Sequence, residues 1–133
     1  MDTNSLIMSI APRSPYRKVW NSFLRGYYNL CVSNEIIEEY AEVLARNIST
    51  QVSEAIIYTI LTRENVIRKN PHFSFGLIEA DKDDNKFVDC AIASNAKCIV
   101  TEDNHFNILK TISFPKVEVV GINDFKKYLD IWT

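Results

Sequence analysis

Four acidic residues stand where an ordinary helix or strand of a soluble protein has little use for them: Asp2, Glu39, Asp89 and Asp103. In the stretch FVDCAIA, residues 87–93, six of the seven residues are apolar and Asp89 is the exception. On a helical wheel it falls between Ile92 and Ala93. An unpaired carboxylate buried there is costly or stays protonated, so an arginine, backbone donors or a metal ion must compensate it. Asp103 follows the apolar run KCIVT, and Asp2 opens DTNSLI. Each reads either as a helix cap or as an acid presented at the carboxyl end of a strand. The segment NEIIEEYAEVLAR carries four glutamates. Glu42 and Glu35 oppose its apolar arc, whereas Glu38 and Glu39 lie at the two edges, and the wheel alone leaves the choice between them open.

The elements that must position these acids follow from hydrophobic periodicity. Tyr16 to Arg25 has helical spacing. Asn29 to Ser33 reads as a short buried strand, after which Ser33 or Asn34 caps a helix running to about Arg46. A further helix is expected from Thr50 to Arg63, then an ambiguous stretch, Asn65 to Leu77, with a short strand around Val66 and Ile67. Asp83 or Asp84 starts a helix that continues to about Asn95. Lys97 to Thr101 and Val117 to Val120 read as strands, and Asp124 to Leu129 as a terminal helix. Strands separated by helices predict an α/β fold with parallel strands and right-handed crossovers. In such folds ligands gather outside the carboxyl ends of the strands, where two aspartates and two helix acids could meet.

Composition narrows the function classes. The chain has 133 residues, which fits one domain, residues 1–133. Its net charge is −2, so attraction to phosphates must come from a local basic patch or from bound cations. Arg13, Arg17, Lys18 and Arg25 have the spacing of such a patch, and equally that of a solvated helix face. Cys31, Cys90 and Cys98 lack metal-ligand spacing and read as small buried hydrophobes in a reducing compartment. With no apolar run of membrane length and no secretory pattern, a cytoplasmic protein without a membrane partner is expected.

DTNSLI, SNEIIEEYAEVLAR, DKDDNKFVDCAIASNAKCIVTEDNHF and VEVVGINDFKKYL, in this order, resemble the PIN domain family, in particular its small bacterial members grouped with the toxins of toxin–antitoxin systems. The resemblance covers nearly the whole chain, and its third segment is the most specific. It implies a three-layer α/β/α sandwich around a mainly parallel sheet, and a Mg2+ or Mn2+ site that hydrolyses phosphodiester bonds in RNA. It places catalytic and metal-binding acids at Asp2, Glu39, Asp89 and Asp103, chooses Glu39 over Glu38, and adds Asp84 as a further metal ligand. Asn4 and Thr101 match polar positions lining the site. Hard oxygen ligands suit either ion, and one or two ions would activate a water and stabilise the leaving oxygen. A cognate antitoxin and a homodimer are implied as partners.

Two departures from that pattern stand out. Only Met1 precedes Asp2, where the family has several apolar residues forming a central strand, so the first strand is expected to be truncated. His105 occupies a position where many relatives carry another acid. A non-catalytic PIN-like module that binds RNA or protein through a weakened site is therefore the alternative to a ribonuclease.

Overall fold

The computed structural model describes residues 1–132. Six helices alternate with four short strands: α1 (Thr3–Ile10), α2 (Arg17–Leu24), β1 (Leu30–Val32), α3 (Asn34–Asn47), α4 (Thr50–Thr62), β2 (Val66–Arg68), α5 (Asn85–Ala93), β3 (Ile99–Val100), β4 (Val119–Val120) and α6 (Ile122–Trp132). Two stretches of 3-10 helix, Lys82–Asp84 and Asn104–Thr111, complete the elements among the described residues. The α/β class is as the alternation predicts.

Local chemistry explains most of these boundaries. The Ser33 hydroxyl accepts from Ile36 N at 3.2 Å and caps α3, and Ser49 does the same for α4 through Val52 N at 3.1 Å. Helix α5 ends at Asn95, whose φ of 52° lies in the left-handed region that asparagine tolerates better than most residues. The amides of Asn95 and Ala96 bond back to the Ile92 and Ala91 carbonyls, the paired closure of a Schellman ending. Asn85, at the start of α5, donates to and accepts from the Ile78 backbone at 2.9 Å, and so anchors the irregular 70–81 stretch to the helix.

Helix α1 and the longer 3-10 stretch have no counterpart in the periodicity reading. The apolar residues of α1 cover barely two turns before Pro12, too few to establish a period. Helix α6 begins two residues earlier than expected, because the Glu102 carboxylate accepts from Ile122 N at 2.7 Å and caps it from a distant loop.

β1 pairs with β2 and β3 with β4, both parallel, and the α3–α4 hairpin crosses over between the first two. Among the described residues the strands form two separate pairs, not the single central sheet expected. Met1 lines the space between the pairs, and Asp2 N is tied to β3 by a bond to Val100 O at 3.0 Å. A groove of about 640 Å³, lined by Met1, Leu30, Cys31, Ile99 and Val100 among others, runs between the pairs. Desolvation at its end pushes the Met1 amino group below its usual pKa, although nearby Asp2 works the other way.

The principal core packs Leu6, Phe23, Val32, Ile36, Tyr40, Leu44, Ile60, Val88 and Phe106, with contributions from α1 to α5. A second cluster joins Val19 and Val100 to Ile122, Phe125 and Leu129 of α6. Tyr40 is fully buried, and its hydroxyl donates to the Met1 carbonyl, so α3 clamps the chain one residue before Asp2. Cys90 is buried and Cys31 and Cys98 half-buried, all three free; burial raises the Cys90 thiol to about 11.

Candidate functional site

Asp2, Thr101 and Asp103 lie together at the carboxyl end of β3. Asp2 is the N-cap of α1: one carboxylate oxygen accepts from Ser5 N at 2.9 Å, and the other accepts from the Thr101 hydroxyl. That same hydroxyl oxygen accepts from Asp103 N at 3.0 Å, so one buried threonine orients both aspartates. Asp103 is in turn the N-cap of the 3-10 stretch, accepting from His105 N at 2.9 Å. For Asp103 cap and strand-end acid are thus the same residue, whereas Asp2 is a cap lying beside the end of β3 without a strand of its own.

Helix α3 supplies the third acid. Glu38 is exposed and Glu39 half-buried, which separates the two residues that the helical wheel could not. Glu39 accepts from the hydroxyl of Thr3, the residue next to Asp2, and this bond draws the α3 acid toward the strand end. Its other oxygen lies 2.9 Å from the ammonium of Lys86, on the first turn of α5. Lys86 also meets Asp83 Oδ1 at 2.6 Å. Burial alone would lower the Lys86 pKa, but its bonds to Asp83 and Glu39 outweigh that and hold it above the ordinary lysine value. The bond to Lys86 in turn lowers Asp83 below the usual carboxylate range.

Asp84 joins from the other side. Its Oδ2 is 3.3 Å from His105 Nδ1, and the same ring nitrogen is 3.4 Å from Asp103 Oδ1, so His105 bridges the two acids. Desolvation raises the Asp84 pKa; the His105 contact opposes the rise, while Asp81 and Asp103 add to it. Asp81, Asp84 and His105 bring one ligand atom each within 4.8 Å of one another, the one such grouping of metal-ligand side chains among the described residues.

Asp89 has other partners. It is buried, as its apolar surroundings predict, but its Oδ1 accepts from Phe75 N at 3.1 Å. Desolvation raises its pKa, offset in part by the Phe75 amide and the Ser74 side chain. The compensation is therefore backbone and hydroxyl donors of the 70–81 stretch, and no bond runs from Asp89 to Asp2, Glu39 or Asp103. Asn4 is exposed on α1. The basic side chains of the first long helix are committed elsewhere: Arg17 bonds to the Ile10 carbonyl and to Asn21, and Lys18 lies 3.6 Å from Asp130.

Thr3, Asp83 and Lys86 were not singled out as site residues by the sequence, whereas His105 was marked as a departure from the family pattern. Thr3 and Lys86 meet Glu39 only through tertiary packing, and no spacing rule foretells that. The donor set of carboxylates and hydroxyls is one that hard divalent cations prefer. Glu39 already accepts one cation, the Lys86 ammonium, while the ligand atoms that lie within 4.8 Å of one another are those of Asp81, Asp84 and His105, and the ligand atoms of Asp2, Glu39 and Asp103 do not gather as closely.

No curated protein and no solved structure matches the chain. A family model described as PIN domain matches residues 1–105, a span that holds every acid of the site and stops short of β4 and α6. By that match, and by the arrangement of acids at the end of β3, the chain belongs to the PIN domain family.

Proposed function

We propose that this protein is a divalent-metal-dependent ribonuclease, and that Asp2, Glu39, Asp84 and Asp103 are its metal-binding acids. PIN domains are typically metal-dependent nucleases. The observation that carries the reading is the set of contacts joining acids from four segments: Thr101 bonds to the Asp2 carboxylate and the Asp103 amide, the His105 ring lies against Asp103 and Asp84, and Thr3, next to Asp2 in the chain, bonds to Glu39. Mg2+ or Mn2+, when bound, would activate a water and neutralise charge on the phosphodiester. The chain's own contribution is to hold four carboxylates at fixed places. Thr101 and Thr3 restrict the carboxylates of Asp2 and Glu39, and the caps on Ser5 N and His105 N each fix one oxygen of Asp2 and of Asp103.

Asp89 was expected to complete the cluster. In this reading it acts at one remove, by holding the 70–81 stretch against α5. Asn4, exposed on α1, and buried Thr101 remain the polar residues assigned to the site's lining. The three-layer sandwich, a single domain over residues 1–133, a cytoplasmic location, an antitoxin partner and a homodimer belong to the same proposal. Among the described residues no helix is long and apolar enough to cross a membrane.

The Lys86–Glu39 ion pair favours one second reading, a non-catalytic PIN-like module that binds RNA or protein, because a lysine holds a ligand position. Hydrolysis of generic single-stranded RNA with Mn2+, comparing wild type with Asp103→Asn, separates the two. Cleavage that requires metal and disappears in the variant supports the ribonuclease. RNA binding without cleavage under any metal supports the module, and cleavage confined to DNA removes both.

A further inference from the structure

The proposed metal site carries a cation of the protein's own. Lys86 Nζ is 2.9 Å from Glu39 Oε1, 2.6 Å from Asp83 Oδ1 and 3.0 Å from the Asp83 carbonyl oxygen. Its side chain is only 10% exposed, whereas that of Asp83 is 73% exposed. An ammonium has three donors, and these three contacts occupy them. Lys86 therefore has two kinds of partner: a half-buried acid of the site and, three residues earlier in the chain, a solvated carboxylate with its own carbonyl.

We propose that Lys86 is a resident countercharge that competes with the divalent ion for Glu39, and that it withdraws onto Asp83 when the ion binds. The inference rests on the metal-dependent reading above. A carboxylate oxygen that accepts from an ammonium at 2.9 Å is not open to a divalent cation at the same time, because the two cations repel at that spacing. Without any cation the clustered acids would repel one another and take up protons. Lys86 removes that penalty in the metal-free protein and keeps Glu39 on the α3 side of the site. Withdrawal loses one of its three contacts, since Asp83 supplies the other two. Lys86 is thus a positioning residue, acting through Glu39 on how tightly the ion is held.

Calorimetric titration of the full chain with Mn2+, for wild type, Lys86→Met and Lys86→Arg, tests this. Removing the competing charge is expected to tighten Mn2+ binding by about tenfold in Lys86→Met. Lys86→Arg, which keeps the charge, stays near the wild-type value. Metal-free Lys86→Met melts below wild type, and the gap closes at saturating Mn2+. A second measurement needs no loss-of-charge variant: the Lys86 Nζ resonance of the wild-type protein, assigned with Lys86→Arg, shifts during a Mg2+ titration. Equal or weaker Mn2+ binding in Lys86→Met, or an unmoved Lys86 resonance at saturation, overturns the competition alone. A wild-type protein that binds neither Mn2+ nor Mg2+ overturns the metal-dependent reading together with it.

Discussion

Glu39 and Asp89 are both helix acids turned away from open solvent, one on α3 and the other on α5, and they have opposite surroundings. Glu39 faces a threonine hydroxyl and a lysine ammonium at the carboxyl end of β3. Asp89 sits among apolar neighbours, is more buried, and faces a backbone amide. Helix α5 contributes to both environments, presenting Lys86 to Glu39 and, one turn later, Asp89 to the 70–81 stretch. Burial by itself therefore does not separate the two. What distinguishes Glu39 is the ammonium beside it, whereas Asp89 takes neutral donors of the 70–81 stretch.

The largest expected effect lies in catalysis. Glu39→Gln lowers the rate of Mn2+-dependent RNA cleavage by roughly 10²–10³-fold, the scale of losing one preorganised charge interaction, while Asp89→Asn lowers it far less. Equal losses in the two variants, in a single-turnover assay, would remove the distinction. Next comes Thr101→Val, which keeps shape but releases both Asp2 and Asp103. Mn2+ affinity should fall by about 10–100-fold, as for other supports of metal ligands, and titration calorimetry reads it.

On the Asp89 side the effects are structural and smaller. Asp89→Ala leaves Phe75 N without its acceptor and should cost about 1 kcal/mol in urea unfolding, with faster proteolysis confined to residues 70–81. The smallest effect is on pH dependence. Desolvation raises the Asp89 pKa, so the native state binds that proton more tightly than the unfolded chain does. Its contribution to stability is complete below the ordinary carboxylate range and is lost as pH rises through the raised value. Asp89→Asn should therefore match or exceed wild-type thermal stability at neutral pH, and its advantage should vanish in acid. A gain that persists in acid would point away from titration of Asp89.

The fold was legible where pattern and cap coincide. Ser33 before NEIIEEY announces α3, because a hydroxyl cap needs only local chain, and the period of TQVSEAI announces α4. Asp89 was legible as anomalous for the same reason, since its apolar neighbours are adjacent in sequence. What it pairs with was not, because Phe75 lies in a stretch without period. Helix α1 escaped notice because its short apolar face shares residues with what resembles a strand end. Glu39 became distinguishable from Glu38 by residue type only through the family resemblance, and the structure separates the two through α1 and α5 packing. Nothing in DDNKF marks Lys86. The charge it neutralises is 47 positions away, beyond the reach of any local rule.

The groove between the two strand pairs makes the amino terminus a lever on the site. Met1 is held by Tyr40 through its carbonyl, and the next residue is a proposed metal ligand. The Met1 amino group is buried beside that groove, which Cys31 and Val100 also line. A purification tag placed ahead of Met1 is thus expected to disturb the seating of Met1 and, through it, Asp2. A tag beyond α6, more than twenty residues past the end of the family match, is not, and the two placements will not give interchangeable activity measurements.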